Sequence, residues 1–377
     1  MKISIITVTL NNKAGLLRAI ESVRSQTYKN VEHIIVDGGS ADGTAEAINN
    51  YQLTINNDKV DELSRSQQNQ ENGTKISPRV YTERSECGRN DRNDDKSSRT
   101  DVRDLKDSER FITPAGIRND KSLITNHYTL VSISEKDNGI YDAINKGIKL
   151  ATGDVIGLLH SDDFYTDEFV LEKYAEAFSQ RAKRQAQSVR DKGGTPIDSP
   201  PDRSEQAAQG DEVEAVYSDL VYVREKSKNE HIDNLAFKIE NSVIRTWKTH
   251  PSHFDYAQCD TLRMTKWIKN GWMPPHPTLF VRREVFENYG LYRTDMKIAA
   301  DYEMILRLFY KHKITSHYLP IITYCMTIGG ASNKSLRNIF IKSSEDYRAM
   351  KMQGIAFPMK TLFMKNVRKL PQFFRKS

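Results

Sequence analysis

Short apolar runs alternate with amphipathic stretches along this chain, and that alternation points to an α/β protein with a mostly parallel sheet flanked by helices. Residues 3–9 (Ile-Ser-Ile-Ile-Thr-Val-Thr) have the length and composition of a buried strand. From Gly15 to Tyr28, Leu16, Leu17, Ile20 and Val23 recur at helical spacing, and residues 31–36 (Val-Glu-His-Ile-Ile-Val) supply a second strand. The turn Asp37-Gly38-Gly39-Ser40 and a helix from about Asp42 to Tyr51 complete a β-α-β-α unit. Ligands of such sheets bind outside the carboxyl ends of the strands.

The pattern stops at residues 56–121, where 28 of 66 residues are charged, 14 of each sign, and only nine are Leu, Ile, Val or Phe. So little apolar surface cannot offset an ordering entropy of about 1–2 kcal/mol per residue, and a disordered polar insertion is expected. The α/β pattern resumes with a strand at 129–134, a helix from Tyr141 to Ala151 and a strand at 155–159. Residues 180–212 are again polar and read as a loop insertion. Beyond them come a strand from Ala215 to Val223, a stretch bearing Trp and His from Trp247 to Trp272, and a strand from Thr278 to Val281. A helix from Ala300 to Tyr310 and a last strand from Tyr318 to Met326 follow.

Composition narrows the class. The 377 residues carry 56 Lys or Arg against 50 Asp or Glu, a formal charge of +6. All of that excess lies between Lys360 and Ser377, which hold six basic residues and no acidic one, so a general basic field for nucleic acid is not expected. Cys87, Cys259 and Cys325 are too far apart to suggest a disulfide framework or a metal-ligand spacing. No run of 18 apolar residues occurs, and the first ten residues alternate like a strand instead of forming a leader; a cytoplasmic setting is expected.

The sharpest local signal is Leu158-Leu159-His160-Ser161-Asp162-Asp163, a strand that ends in adjacent carboxylates. Like charges so placed repel unless a cation or several donors compensate. A hard divalent ion completed by substrate phosphates meets that need, and turn or helix-capping aspartates are the structural alternative. Asp37 closes the second strand, where a short acceptor can meet a base or ribose, although Asp-Gly-Gly is also ordinary turn chemistry.

Taken in order, several blocks resemble the inverting family 2 glycosyltransferases of the GT-A fold, of the bacterial polysaccharide-assembly type. They are Ser4–Asn12, Ser25-Gln-Thr-Tyr28, Ile35–Thr44, Ser134–Ile148, Gly153-Asp154, His160–Asp163, Pro275-His-Pro-Thr278 and Ala300-Asp-Tyr-Glu303. The resemblance implies a catalytic domain of residues 1–55 and 122–330, interrupted by the two polar insertions, and a helical basic extension at 331–377. It implies a nucleotide-sugar donor touched by Thr9, Asp37, Asp137, Asp142, Asn145 and Asp162, with Asp37 on the base. Asp163 would ligate Mg2+ or Mn2+. By its own setting, in the rigid segment Pro274-Pro275-His276-Pro277, His276 could meet the metal, the diphosphate or the acceptor, with a satisfied structural histidine as the alternative. Trp272 could stack on an acceptor sugar, although a Trp beside Gly and Pro is more often a packing residue. Asp301 would be the catalytic base, and its structural alternative is the cap of the helix it begins. His250 and His253 lack the spacing of a metal site.

In the tail, Leu362, Phe363, Val367, Leu370, Phe373 and Phe374 are interleaved with the basic residues. Such a segment suits either an anionic membrane surface at the inner face of the cell membrane or a helix covering the catalytic domain. The implied acceptor is a glycan or a lipid-linked glycan. Two other classes compete: a nucleotidyltransferase making nucleotide sugars, disfavoured because Thr9-Leu10-Asn11-Asn12-Lys13 is no Gly-rich phosphate loop, and an inactive nucleotide-sugar binder.

Overall fold

The computed structural model describes residues 1–54, 128–179, 212–224, 243–247, 261–328 and 336–369. The expected insertion at 56–121, nearly all of 180–212, and His250, His253, Cys87 and Cys259 lie outside them. The chain divides into two units, Met1–Gln52 with Ile112–Ser377, and Leu53–Phe111; everything below concerns the first.

The first unit opens with strand β1 (Ile3–Thr9), helix α1 (Lys13–Arg24), strand β2 (Val31–Asp37) and helix α2 (44–54). Then come β3 (Tyr128–Ser134), α3 (Ile140–Leu150), β4 (Val155–Leu158), the short β5 (Phe164–Tyr165) and α4 (170–179). The second half holds β6 (Ala215–Val223), β7 (Val243–Trp247), α5 (Thr261–Lys269), β8 (Phe280–Arg282) and α6 (Arg283–Tyr289). It closes with α7 (Ala300–Ile305), which continues as a π-helical stretch Leu306–Lys311, then β9 (Ser316–Thr327), α8 (Leu336–Met352) and α9 (Pro358–Lys369).

All nine described strands share one sheet in the order β3-β2-β1-β4-β8-β6-β9-β5, with β7 paired to β6. The strands β3, β2, β1 and β4 are mutually parallel; β8 runs against both β4 and β6, and β9 runs parallel to β6. Residues of β2 alternate between the two faces, as the pleat requires. Ile34 and Val36 join the main core with α3 and α7, whereas Ile35 packs with Leu16, Ile20 and Ile48 from α1 and α2. Helices therefore cover both faces, as expected.

Helix α1 stops at Arg24 and not at Tyr28 because the next residues are used elsewhere. Gln26 Nε2 donates to Asp167 O (2.8 Å) and Thr27 N to Glu168 O (2.8 Å), tying the end of α1 to the approach to α4. The basic tail is also altered. Lys365 is buried and paired with buried Asp346 at 2.8 Å, with its ammonium over the Tyr302 ring, so one of its six charges is spent inside the protein. Among the described residues no helix is long and apolar enough to cross a membrane.

Candidate functional site

Parallel pairing brings the ends of β1, β2 and β3 level: Thr9 lies opposite Asp37, and Asp37 opposite Ser134. Leu158 at the end of β4 pairs with Ile6, and Leu159 N donates to Ile6 O, so residues 160–163 leave the sheet at this same carboxyl edge. Two strand spacings of about 4.8 Å separate the β2 and β4 ends, about 10 Å in all.

Two asparagines after β1 hold the edge loops. Asn11, at a positive φ of 51°, accepts from Ala41 N (2.8 Å) and takes Ser40 Oγ on its own N–H (2.7 Å). Asn12 caps α1 by accepting from Gly15 N (3.2 Å) and donates to Ser161 Oγ (3.2 Å). A Cβ at Gly15 would lie 2.4 Å from Ser161 O, so the helix start sits directly against the 160–163 loop.

At the β2 end the Asp37 carboxylate is fully buried and accepts from Ser40 N (3.2 Å), Ser40 Oγ and Ser134 Oγ (2.6 Å). Asp137 stands over the following turn: a Cβ on Gly38 would meet Asp137 Oδ2 at 2.4 Å, and Asp137 Oδ1 accepts from Gly139 N. Asp142 accepts from Asn138 N (3.0 Å) and lies near Lys146, stiffening the entry to α3. Asn145 is put to a different use from the expected donor contact. It is buried, with Nδ2 donating to Tyr292 O (2.8 Å) and Oδ1 accepting from Tyr292 N (2.9 Å). That two-point clamp fixes the backbone approaching α7.

The two adjacent aspartates differ sharply. Asp163 is 1% exposed; its Oδ2 accepts from Tyr324 Oη (3.0 Å) and its Oδ1 from Thr327 N (2.9 Å). Burial, and next the charge of Asp162, push its carboxyl up to about 8. Asp162 is half-buried, its carbonyl held by Thr327 Oγ1 (2.6 Å) and Arg18 (3.2 Å), and among the described residues no donor meets its carboxylate. Of the pair, Asp162 is the carboxylate left open to a ligand.

Asp301 arrives from the other half of the chain, in the first turn of α7. Tyr141 Oη, which donates to Ile298 O (2.7 Å), lies 3.5 Å from Asp301 Oδ1. His160 lies within electrostatic reach of both Asp162 and Asp301, and His276 within reach of Asp301 and His160. His160 thus links the loop that carries Asp162 electrostatically to Asp301 and His276. His276 Nε2 is bonded to Tyr292 Oη (2.8 Å), and burial pushes its imidazole down to about 4, so it is neutral at pH 7. Trp272 takes the packing alternative and not that of a sugar platform: it is a core residue, 8% exposed, packed between Tyr217 and Trp267 at centroid distances of 5.9 and 5.5 Å.

Thr9 Oγ1 and His160 Nδ1 are buried and without hydrogen-bond partners among the described residues, which marks them as positions a ligand would complete. His160 carried a signal in its place beside the aspartates; Glu345 carried none. From α8, Glu345 accepts from three consecutive backbone N–H groups, those of Lys297 (2.8 Å), Ile298 (2.8 Å) and Ala299 (2.9 Å), immediately ahead of Asp301.

The family model described as glycosyl transferase family 2 matches residues 4–72 and 121–290, more than half of the chain; Asp301 lies just beyond. Two curated relatives from Mycobacterium tuberculosis, the uncharacterized glycosyltransferases Rv1514c (strain H37Rv) and MT1564 (strain CDC 1551), are each 26% identical over 178 residues. That stretch is 47% of this chain and 40% of each relative, so the match spans about two fifths of their length. Among solved structures, S. aureus TarS 1–349 in complex with UDP-GlcNAc is similar at a TM-score of 0.50 and 12% identity, over 98% of this chain and 73% of that one. The mannosyltransferase PcManGT from Pyrobaculum calidifontis, solved with GDP-Man and Mn2+, gives 0.44 and 13%, over 98% and 72%. The likeness to TarS is one of fold, the GT-A type of α/β sheet. Together with the match across the β1–β4 edge and its loops, it leads to one assignment: the chain belongs to glycosyl transferase family 2.

Proposed function

We propose that this protein transfers a sugar from a nucleotide-sugar donor to an acceptor hydroxyl with inversion at the anomeric carbon, in assembly of a cell-surface glycan. The observation that carries the reading is that the His160–Asp163 loop leaves the sheet at the same carboxyl edge as the Thr9–Asp37 strand ends, with Asp301, from a distant part of the chain, within electrostatic reach of His160. The nucleoside would lie over Thr9 and Asp37, with Asp137 beside the Gly38 turn, where Thr9 Oγ1 gains the partner it lacks.

The donor set suits a divalent cation. Two adjacent carboxyl groups supply hard oxygens: Asp162 is open, and Asp163, pushed up to about 8 by burial and its neighbour's charge, would give up its proton to join it on a cation. Among the described residues no three His, Cys, Asp or Glu side chains could hold an ion alone, so substrate phosphates would have to complete the coordination of Mg2+ or Mn2+. Asp162, backed by Asp163, would hold it; when bound, the ion offsets charge on the departing diphosphate. Asp301 takes the acceptor hydroxyl proton as that oxygen attacks, and leaving-group departure then needs no second carboxylic acid. His276, neutral and locked to Tyr292, shapes the wall beside Asp301.

The test is to incubate the protein with a panel of nucleotide sugars, Mg2+ or Mn2+ and candidate acceptors, following nucleoside diphosphate release and the product's anomeric configuration by NMR. Free diphosphate and an inverted product are expected. A retained configuration would reject the single-base mechanism; pyrophosphate release from a nucleoside triphosphate and a sugar phosphate would point to nucleotidyl transfer; tight binding without turnover would point to an inactive binder.

A further inference from the structure

The inner side of the α8–α9 hairpin is fully engaged: Ile355, Thr361 and Lys365 are buried, and Gln353 Nε2 donates to Glu303 Oε1 at 2.7 Å. Its outer side is not. Met352 is 39% exposed, Phe357 72%, Met359 66% and Phe363 67%. Met359 and Phe363 are one helical turn apart and share a face of α9, and Phe357 directly precedes that helix. Large side chains clustered and exposed in this way mark an interaction site.

The charges around them have one sign. From Tyr347 to Ser377 the sequence holds eight Lys or Arg and no Asp or Glu. Lys365 is neutralised internally by Asp346 and Arg348 is paired with Asp295, but Lys351, Lys360 and Arg368 are exposed, and Lys360 is three residues from Phe363 on α9. Protein surfaces ordinarily interleave both signs. Aromatic and Met side chains interspersed with exposed cations match an acyl boundary beneath anionic headgroups, the two features being used together.

We propose that the tip of the α8–α9 hairpin, through Met352, Phe357, Met359 and Phe363 with Lys351, Lys360 and Arg368, docks on an anionic lipid bilayer. The hairpin is tied to the segment carrying Asp301 through Glu345, so docking fixes the position of that segment relative to the bilayer. The contact does not depend on the proposed transfer chemistry.

The test is co-sedimentation of the full chain with vesicles of phosphatidylcholine alone and with phosphatidylglycerol added. Binding is expected only to the anionic vesicles, with release at high salt. Phe357→Ser with Phe363→Ser, and separately Lys351→Glu with Lys360→Glu, should each weaken it by about tenfold or more. All four side chains are exposed, so unchanged melting and unchanged donor turnover without vesicles are expected of both variants. Failure of turnover in every form would count against the transferase reading and leave this one standing. No sedimentation, equal binding to neutral vesicles, salt-insensitive binding, or binding untouched by the substitutions would overturn it. So would light scattering that shows a dimer broken by the two Phe substitutions, which would make the patch a self-contact.

Discussion

Thr9 keeps a hydroxyl buried at the end of β1 without a hydrogen-bond partner among the described residues, a cost that calls for a bonding group from outside them. Thr9→Val removes the hydroxyl while keeping the β-branched shape, so melting should hold or rise slightly. Affinity for a nucleoside diphosphate, read by calorimetry, should fall about five- to tenfold; unchanged affinity would remove Thr9 from the site. A second residue-scale effect concerns acid. His33 is sealed between Thr7 Oγ1 (2.8 Å) and Tyr128 Oη (2.9 Å), and burial pushes its imidazole down to about 3; His276 is pushed to about 4. Both folded values lie below the ordinary histidine value of about 6.5, so the unfolded chain takes up protons first as pH falls. The contribution of these two groups is therefore full above about pH 6.5 and declines toward pH 4, by up to about 1.4 kcal/mol per pH unit for each, while Asp163, pushed up to about 8, acts in the opposite sense. Urea titrations across that window should show His33→Gln lowering the slope by up to about 1.4 kcal/mol per pH unit; an identical slope would contradict the assignment.

At the scale of elements, α8 and α9 support the helix that bears Asp301. Glu345 satisfies three N–H groups at the approach to α7. Glu345→Ala leaves all three without that acceptor and should cost about 2 kcal/mol or more of stability. It should also lower kcat by tenfold or more with little change in donor KM, and Glu345→Gln should recover part of both. Equal loss in kcat and KM would mean a purely structural role. The buried Lys365–Asp346 pair makes a related prediction: Lys365→Met alone should destabilise by about 3–5 kcal/mol, because it strands a buried carboxylate. The double variant Lys365→Met with Asp346→Leu should regain most of that in thermal melts. None of this was legible in the sequence. Periodicity reveals that α8 and α9 are helices, but Glu345 meets a backbone 46 to 48 residues away, and a lysine amid basic neighbours reads as solvated.

Across the whole molecule, what could be read from sequence was the sheet edge. Strand ends announce themselves through apolar runs that stop, so Thr9, Asp37 and the 160–163 loop could be placed on one rim before any coordinates. Side-chain direction could not. Asp163 and Asp162 are neighbours in sequence, yet one turns into β9 and the other stays open, a difference set by Tyr324 and Thr327, more than 160 residues on. The Gly and Pro neighbours of Trp272 favour packing, but they carry no sign of the Tyr217 and Trp267 rings against which it packs. The π-helical stretch after α7 likewise follows from packing and not from pattern.

The most direct measurement compares Asp301→Asn with the unaltered protein for donor binding and for turnover on the same samples. If Asp301 serves as the base beside an independently formed nucleotide pocket, turnover should fall by at least about a hundredfold while the donor dissociation constant changes less than about twofold. Turnover that survives, or binding that collapses in step with it, would show that Asp301 is not the group on which transfer depends.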